Sequence, residues 1–427
     1  MSGEFMSSIP TMRYGEGDRI GLLRQILVGL NHPDEHYPII HIAGTNGKGS
    51  TAQMVTALLS AHQLKVGLFT SPHLVTPRES VQVAGEKISV KAFKSVASQA
   101  NRILKAYGWT TPDILSEFEW TFLIALEYFK QMDCDYVVLE CGVGGALDAT
   151  NAITQSETAI FTKIGLDHLN LLGDTLEEIV ATKAGIMRSH QLVVIAPEQK
   201  PGVTSQLKSA ASLLPETECL KADLTNLQTV DRHTYRYVRD NNQEVTITLG
   251  LPGEFQRENL ATVLTWYEMW LDKNHLAWKN DSVQKALASV HLPGRFEKVN
   301  NHPFILMDAA HNLDAITSLI ESLQAAFPHQ TLRIICGFLK DKDVAHMVEK
   351  LRVLPAKWWV TQPDFPGRTL TAEELATIFN RYNISPQGIY SNPKEALEVV
   401  MHQEETTPII ILGSFHLIKC LRGEFDV

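Results

Sequence analysis

The sequence predicts an α/β protein built as two domains, and three observations carry that prediction. Short apolar runs alternate with amphipathic stretches, the pattern of a mainly parallel sheet flanked by helices. The 427 residues exceed the length at which a single hydrophobic core stops growing. The alternation breaks at "HLPGRFEKVNNHP" (291–303), rich in Pro, Gly and Asn, and then resumes. A linker is expected there, dividing a larger domain at 1–297 from a smaller Rossmann-like α/β domain at 298–427.

Within the first domain, "YPIIHIA" (37–43) is apolar enough for a buried strand and runs into a glycine loop. "STAQMVTALLSAHQL" (50–64) puts Val55, Leu58, Leu59 and His62 on one side at helical spacing. The strand "KVGLFTS" (65–71), the helix "FEWTFLIALEYFKQ" (118–131) and the strand "DYVVLE" (135–140) follow. Next come the strand "ETAIFTKIG" (157–165), the helix "TLEEIVATKAGIMR" (175–188) and the strand "QLVVIAP" (191–197). The chain is more polar from Ala210 to Gly250, where "TYRYVRDNNQEVTITLG" predicts an antiparallel hairpin turning at Asn241-Asn242. A helix over "ENLATVLTWYEMWL" (258–271) closes the domain. In the second domain "FILMDAAHN", "TLRIICGF", "KWWVTQ" and "TPIIILGS" read as strands with helices between them.

Composition narrows the function classes. Hydrophobic residues make up 44% and charged residues 20%, ordinary for a globular protein. The net charge of −10 argues against a nucleic-acid surface, and no apolar run reaches the length of a membrane span. The five cysteines form no Cys-x-x-Cys pair, which reads as a reduced, cytoplasmic protein without a zinc site of that kind. The opening "MSGEFM" reads as a five-residue cloning remnant ahead of a natural start at Met6.

In open α/β sheets ligands bind at the carboxyl ends of the strands, so the polar residues ending each apolar run are informative. "YPIIHIA" ends in "GTNGKGS", which lacks the Walker spacing because Ile42 stands five places before Gly47 and Gly49 follows Lys48. "VGLFT" ends at Ser71, "YVVLE" at Glu140, and "AIFTKIGLDH" at Asp167 and His168. Each has a plain explanation: a turn, a cap, a solvated acid, a structural imidazole. Falling at one sheet edge, they also compose a site. Backbone N–H groups of Thr45, Asn46, Gly47, Lys48, Gly49 and Ser50 would wrap phosphates, with the Lys48 ammonium neutralising them. Ser50 could cap the helix or approach the phosphates. Ser71, Glu140 and His168 would hold magnesium, His168 being the least expected ligand for a hard cation.

Lys183 poses a separate question. Leu176, Ile179, Val180 and Ile186 define an apolar helical stripe, and Lys183 lies on it. Either its stem covers the core edge while the ammonium reaches water, or it is buried with a depressed pKa or a chemical modification.

Nine stretches in order resemble the folylpolyglutamate synthase and dihydrofolate synthase family of the Mur-ligase superfamily. They are "HIAGTNGKGS", "LFTSPHLV", "VVLECGVGGALDATN", "GLDHLNLLG", "ATKAGIMR", "LPGRFEKV", "DAAHN", "GFLKDKD" and "GSFH", and they span nearly the whole chain. The resemblance implies a P-loop-type ATPase domain at 1–297, a glutamate-ligase domain at 298–427 and an active site in the cleft between them. It implies that ATP phosphorylates a folate carboxylate and that the amine of L-glutamate attacks the acyl phosphate. Dihydropteroate is the further acceptor of bifunctional members, toward which "LDATN" leans. Magnesium is expected as two ions held by Ser71, Glu140, His168 and a carbamylated Lys183. Asn259, Arg295 and Asp308 match nucleotide contacts, while Asp308, His311 and Ser414 match C-terminal residues associated with activity or glutamate. Glu117, Phe118 and Glu119, with Asp148 and Ala149 of "GGALDATN", match the folate or pteroate pocket. A monomer is the family expectation.

Two other readings compete. A peptidoglycan Mur ligase normally carries a separate domain before the ATP loop, and 43 residues ahead of Gly44 leave no room for one. A nucleotide-binding relative without catalysis would not need every reactive residue type in place.

Overall fold

The structure is a computed structural model that describes residues 12–108, 114–403 and 407–425; residues 1–5, read above as a cloning remnant, lie outside the described residues. The chain forms two compact units, one of residues 12–250 and 257–290, the other of 251–256 and 291–425. The division therefore falls somewhat ahead of the expected boundary at 297, and a short segment before the helix Gln256–Lys273 clusters with the second unit.

In the first unit the strands are β1 (Ile39–Ala43), β2 (Val66–Phe69), β3 (Val81–Val83), β4 (Glu86–Lys87), β5 (Tyr136–Glu140), β6 (Thr158–Phe161), β7 (Leu192–Ile195) and β8 (Glu218–Lys221). Their order across the sheet is β4-β3-β2-β5-β1-β6-β7-β8. All neighbours from β2 to β8 pair in parallel, and β3 and β4 add an antiparallel edge that the sequence reading passed over. β1, β5 and β6 are buried throughout, which is why they read as continuous apolar runs. One face packs Phe69, Val137 and Leu139 against Trp120, Leu123 and Phe122 of the helix Glu117–Gln131. The opposite face buries Phe161, Val193 and Ile195 with Ile179 and Val180 of the helix Leu176–Ala184. The predicted hairpin is present as β10 (Thr234–Val238) and β11 (Glu244–Thr248), with β9 (Leu227–Thr229) beside it, and Asn242 takes the left-handed φ of 63° that its turn needs.

The second unit holds β12 (Glu297–Asn301), β13 (Phe304–Asp308), β14 (Leu332–Cys336), β15 (Ala356–Thr361), β16 (Gly388–Tyr390) and β17 (Ile409–Leu412), in the order β12-β13-β17-β14-β15-β16. The stretch expected to be a linker is half strand, because "EKVNN" pairs antiparallel with β13. An edge strand with one half-solvated face needs no apolar alternation, so its Asn residues hid it.

Glu297, at the start of this strand, is buried and accepts from Gly294 N at 2.8 Å and Arg422 Nη2 at 2.8 Å, with His291 Nε2 at 3.4 Å. Burial opposes its charge, but these donors outweigh it and hold the carboxyl down at about 2. A folded value below the unfolded one gives stability that is present above the ordinary carboxylate range and lost as pH falls through about 2. Glu297→Gln should therefore cost about 3 kcal/mol at neutral pH. The gap to the parent should shrink as chemical denaturation is repeated from pH 5 toward pH 2; a pH-independent gap would contradict the assignment.

Candidate active site

β1 lies between β5 and β6, so the chain reverses its direction of progress across the sheet at this strand. The crevice at its carboxyl end is where an α/β sheet accepts a ligand. Gly44 (φ 152°) and Gly47 (φ 90°) form the corner into the helix Lys48–Ser60. A Cβ on Gly44 would overlap Thr162 Oγ1, and one on Gly47 would overlap Asn259 Oδ1, so both positions require glycine. Thr45 N and Asn46 N both donate to Lys163 O, at 2.8 and 3.1 Å. These two amides are therefore spent on the segment that follows β6 rather than free to wrap phosphates as expected. Gly47 caps the helix without any side-chain acceptor, so no capping side chain occupies the helix start at Lys48 and Gly49, where an anion is favoured. Ser50 is buried in the first turn and is not the cap.

Two amines converge on one carbonyl. Lys48 Nζ arches back to Gly44 O at 3.2 Å and Thr45 O at 3.3 Å, and Lys183 Nζ donates to Gly44 O at 2.9 Å. Lys183 is only 2% exposed, so its charge does not reach water. Burial and then the neighbouring Lys48 charge bring it down to about 7. The helix carrying it ends at Ala184, shorter than predicted, because Gly185 turns the chain. The helix is also packed flush on the next loop: a Cβ on Gly145 would approach the Lys183 backbone to 2.7 Å. Two close amines with no carboxylate in salt-bridge reach among the described residues suit a polyanion.

Glu140 ends β5, is 4% exposed, and its Oε2 accepts from Ser71 N at 3.1 Å. The parallel register of β2 with β5 sets this contact, by placing Phe69 opposite Leu139. His168 follows β6 in a left-handed conformation (φ 53°), its N–H donating to Asp167 Oδ1 at 2.9 Å and its ring half-buried. Among the described residues no three His, Cys, Asp or Glu side chains are grouped to hold a metal. The expected set contains only two of those residue types, so Ser71 and Lys183 would have to complete it. A buried carboxylate beside a serine at the phosphate crevice fits a hard divalent cation.

Among the residues expected to face the acceptor, Asp148 is 2% exposed and Ala149 is buried beside it. Phe118 lies against Phe69, ring centroids 5.5 Å apart, and so close to Gly142 that a Cβ there would come within 2.8 Å of it. Glu117 sits 3.7 Å from His73 Nε2. Glu119 spends its oxygens on Arg19 (2.8 and 2.6 Å) and on Ser116 N (2.7 Å), so it caps its helix and anchors Arg19. Arg19 in turn lines a cavity of about 300 Å³ with Asp18, Arg24, Ala146, Leu147 and Asn151. The sequence reading missed Arg19 and Arg24; two arginines within an otherwise apolar helical stretch were the available signal.

In the second unit Asp308 ends β13, buried, accepting from Phe296 N at 2.8 Å and Ala310 N at 2.7 Å. Burial raises its pKa, and the Arg295 charge opposes that rise. Arg295 lies over the Phe415 ring at 4.6 Å, and His311, its Nδ1 2.9 Å from Ala309 O, faces the same ring. Ser414 caps the helix Phe415–Arg422 through Leu417 N. Asp308 pairs with Leu412 in register, so Asp308, His311 and Ser414 share the carboxyl edge of this sheet. Asn259, by contrast, belongs to the first unit, where it covers Gly47.

Comparison with known proteins agrees with this arrangement. Residues 42–266 match the Mur ligase middle domain, and residues 294–415 match the Mur ligase glutamate ligase domain. The dihydrofolate synthase/folylpolyglutamate synthase of Escherichia coli is 30% identical over 390 residues, covering 91% of this chain and 86% of that one. The folylpolyglutamate synthase of Mycobacterium tuberculosis, solved with ADP and AMPPCP, superposes with a TM-score of 0.85 at 26% identity, over 100% of this chain and 98% of its own. A bifunctional folylpolyglutamate synthase/dihydrofolate synthase with Mn, AMPPNP and L-glutamate bound gives 0.82 at 26% identity, over 99% and 97%. The chain belongs to the Mur ligase family, in its folylpolyglutamate synthase/dihydrofolate synthase branch.

Membership spans both units. The middle-domain match contains the phosphate loop, Ser71, Glu140, His168, Lys183 and Asn259, and the ligase-domain match contains Arg295, Asp308, His311 and Ser414. No helix among the described residues is long and apolar enough to cross a membrane.

Proposed function

We propose that this chain is an ATP- and divalent-metal-dependent ligase that joins the amine of L-glutamate to a folate carboxylate, with dihydropteroate as a second acceptor. The observation that carries the reading is the convergence of Lys48 and Lys183 on Gly44 O, beside helix N–H groups left without a side-chain cap. The N–H groups of Lys48, Gly49 and Ser50 bind the phosphates, and the Lys48 ammonium leaves Gly44 O for a phosphoryl oxygen. Asn259 keeps the loop in its left-handed corner by filling the space over Gly47.

Ser71, Glu140 and His168 would hold the divalent cation, which neutralises phosphoryl charge when bound. Lys183 would join this set as a carbamate: its neutral amine attacks CO2, a nitrogen–carbon bond forms as one C=O π bond opens to a carboxylate oxygen, and the nitrogen loses a proton to solvent. An amine held near about 7 is available for that attack at neutral pH, which an ordinary lysine is not. The folate carboxylate attacks the terminal phosphorus, ADP leaves, and the amine of glutamate then displaces phosphate from the acyl carbon. Asp308, His311 and Ser414 are assigned to the glutamate side of the reaction, and Glu117, Phe118, Asp148 and Ala149 to the acceptor. The protein acts as a monomer in this reading.

One assay separates this reading from its rivals. ADP release is measured with glutamate plus dihydropteroate, glutamate plus tetrahydrofolate, and each component alone. Release should require metal, glutamate and a folate acceptor together. Turnover that ignores folate and glutamate, turnover only with a nucleotide-linked peptide, or no turnover at all would overturn it.

A further inference from the structure

His41 is the one polar side chain of β1, and it is wholly buried directly before the phosphate loop. Its Nε2 lies 2.8 Å from Thr150 Oγ1 and 3.2 Å from Cys141 Sγ. Thr150 Oγ1 donates its single proton to Asp148 Oδ1 at 2.6 Å. With that proton given to the nearer Asp148, the Thr150 oxygen is placed to accept from Nε2 in its N–H tautomer. The other nitrogen, Nδ1, is buried with no hydrogen-bond partner among the described residues, so the polar contacts of the ring all lie on its Nε2 side, Thr150 being the nearer partner and Cys141 the farther. Burial, followed by the charge of Arg188, keeps the imidazole neutral down to about 3.

Asp148 is the end of this chain and the organiser of the loop that precedes it. Its Oδ2 accepts from Val143 N at 2.7 Å and its Oδ1 from Thr150 N at 3.0 Å. It therefore ties both ends of the 143–150 loop together, while the middle of that loop is held separately by Ala146 N donating to Thr182 O. Without the Thr150 hydroxyl the buried carboxylate loses a charge-assisted hydrogen bond. A loop that samples other positions binds its ligand more weakly in proportion to the competent fraction.

We infer that His41 and Thr150 are positioning residues: through Asp148 they hold the 143–150 loop in the conformation that receives the acceptor, and they tie it to the strand that carries the phosphate loop. The inference rests on the folate-acceptor reading above. Neither residue touches a substrate in this assignment, so the expected signature is a selective one, on acceptor affinity and not on ATP.

The test uses Thr150→Val, which keeps the shape and removes the hydroxyl, and Thr150→Ser, which restores it. His41→Gln keeps an N–H donor at the required reach, and His41→Leu removes it. Tetrahydrofolate binding by equilibrium dialysis and the KM values for tetrahydrofolate and ATP are measured for each. For Thr150→Val and His41→Leu, the tetrahydrofolate Kd and KM should rise about fivefold to tenfold, the scale of one lost hydrogen bond to a charged acceptor. The ATP KM should stay within about twofold, and Thr150→Ser and His41→Gln should recover most of the loss. Parallel losses for ATP and tetrahydrofolate, or no change in Thr150→Val, would overturn the inference. Tetrahydrofolate binding by the parent protein tests the underlying reading; only the variant-to-parent ratio tests this one. If His41→Leu does not fold, the Thr150 pair decides alone.

Discussion

Lys183→Ala is expected to lower the ligation rate by at least about a hundredfold, the scale of removing one electrostatic partner from a phosphoryl-transfer site. The same substitution should leave the fold intact, because Lys183 contributes cost as well as contact. Its amine is buried, lies beside the Lys48 charge, and is brought down to about 7. A lysine whose folded value lies below its unfolded one destabilises the fold when charged. That cost is complete below about 7 and fades as pH rises toward the ordinary lysine value. Lys183→Met should therefore raise the unfolding free energy of the nucleotide-free, CO2-depleted protein by about 1–2 kcal/mol at pH 6.5, after the lost hydrogen bond to Gly44 O, which keeps Lys48 as a donor, is allowed for. Its advantage should narrow in denaturation curves repeated at higher pH. An inactive yet stabilised variant separates function from structure, and an active Lys183→Ala would sink the assignment. Carbamylation adds a further expectation. Activity of CO2-depleted protein should return on adding bicarbonate, and faster at pH 8 than at pH 6, because the neutral amine is the reactive form.

Much of this site could be read before any coordinates. Apolar runs ending in Ser71, Glu140 and His168 marked one sheet edge, since burial on both faces forces a parallel strand to be apolar until it reaches the crevice. Lys183 was conspicuous because a charge on an apolar stripe must be either carried to water or compensated. What stayed hidden depended on pairing between distant segments. No local pattern says that Thr45 and Asn46 spend their amides on Lys163 O, or that Glu119 answers Arg19 across the sequence. The edge strand Glu297–Asn301 reads as linker in the sequence because its partner β13, and not its own composition, makes it a strand. The His41–Thr150–Asp148 chain escaped for the same reason: on its own, a histidine in an apolar strand reads as a core residue.

Glu140→Gln carries the other large expected effect, and its logic is opposite to that of Lys183. Glutamine keeps the volume and an acceptor oxygen, so Ser71 N retains its partner and the β2–β5 register has no reason to change. Only the charge is lost. If the carboxylate merely ended a strand and held Ser71, activity would survive. If it holds a divalent cation, kcat should fall by about a hundredfold to a thousandfold, and half-saturation by Mg²⁺ should shift upward by about tenfold or more. Metal-free ATP binding should change by less than about twofold, since Lys48 and the helix N–H groups supply that affinity. Titrating ADP release against Mg²⁺ in parent and variant makes the distinction directly. An unchanged metal requirement would return Glu140 to a structural role and leave the phosphate crevice without its one buried acid among the proposed ligands. The two lysines beside Gly44 would then have to neutralise the transferred phosphoryl group alone, and Lys183→Ala should in that case cost far more than Glu140→Gln.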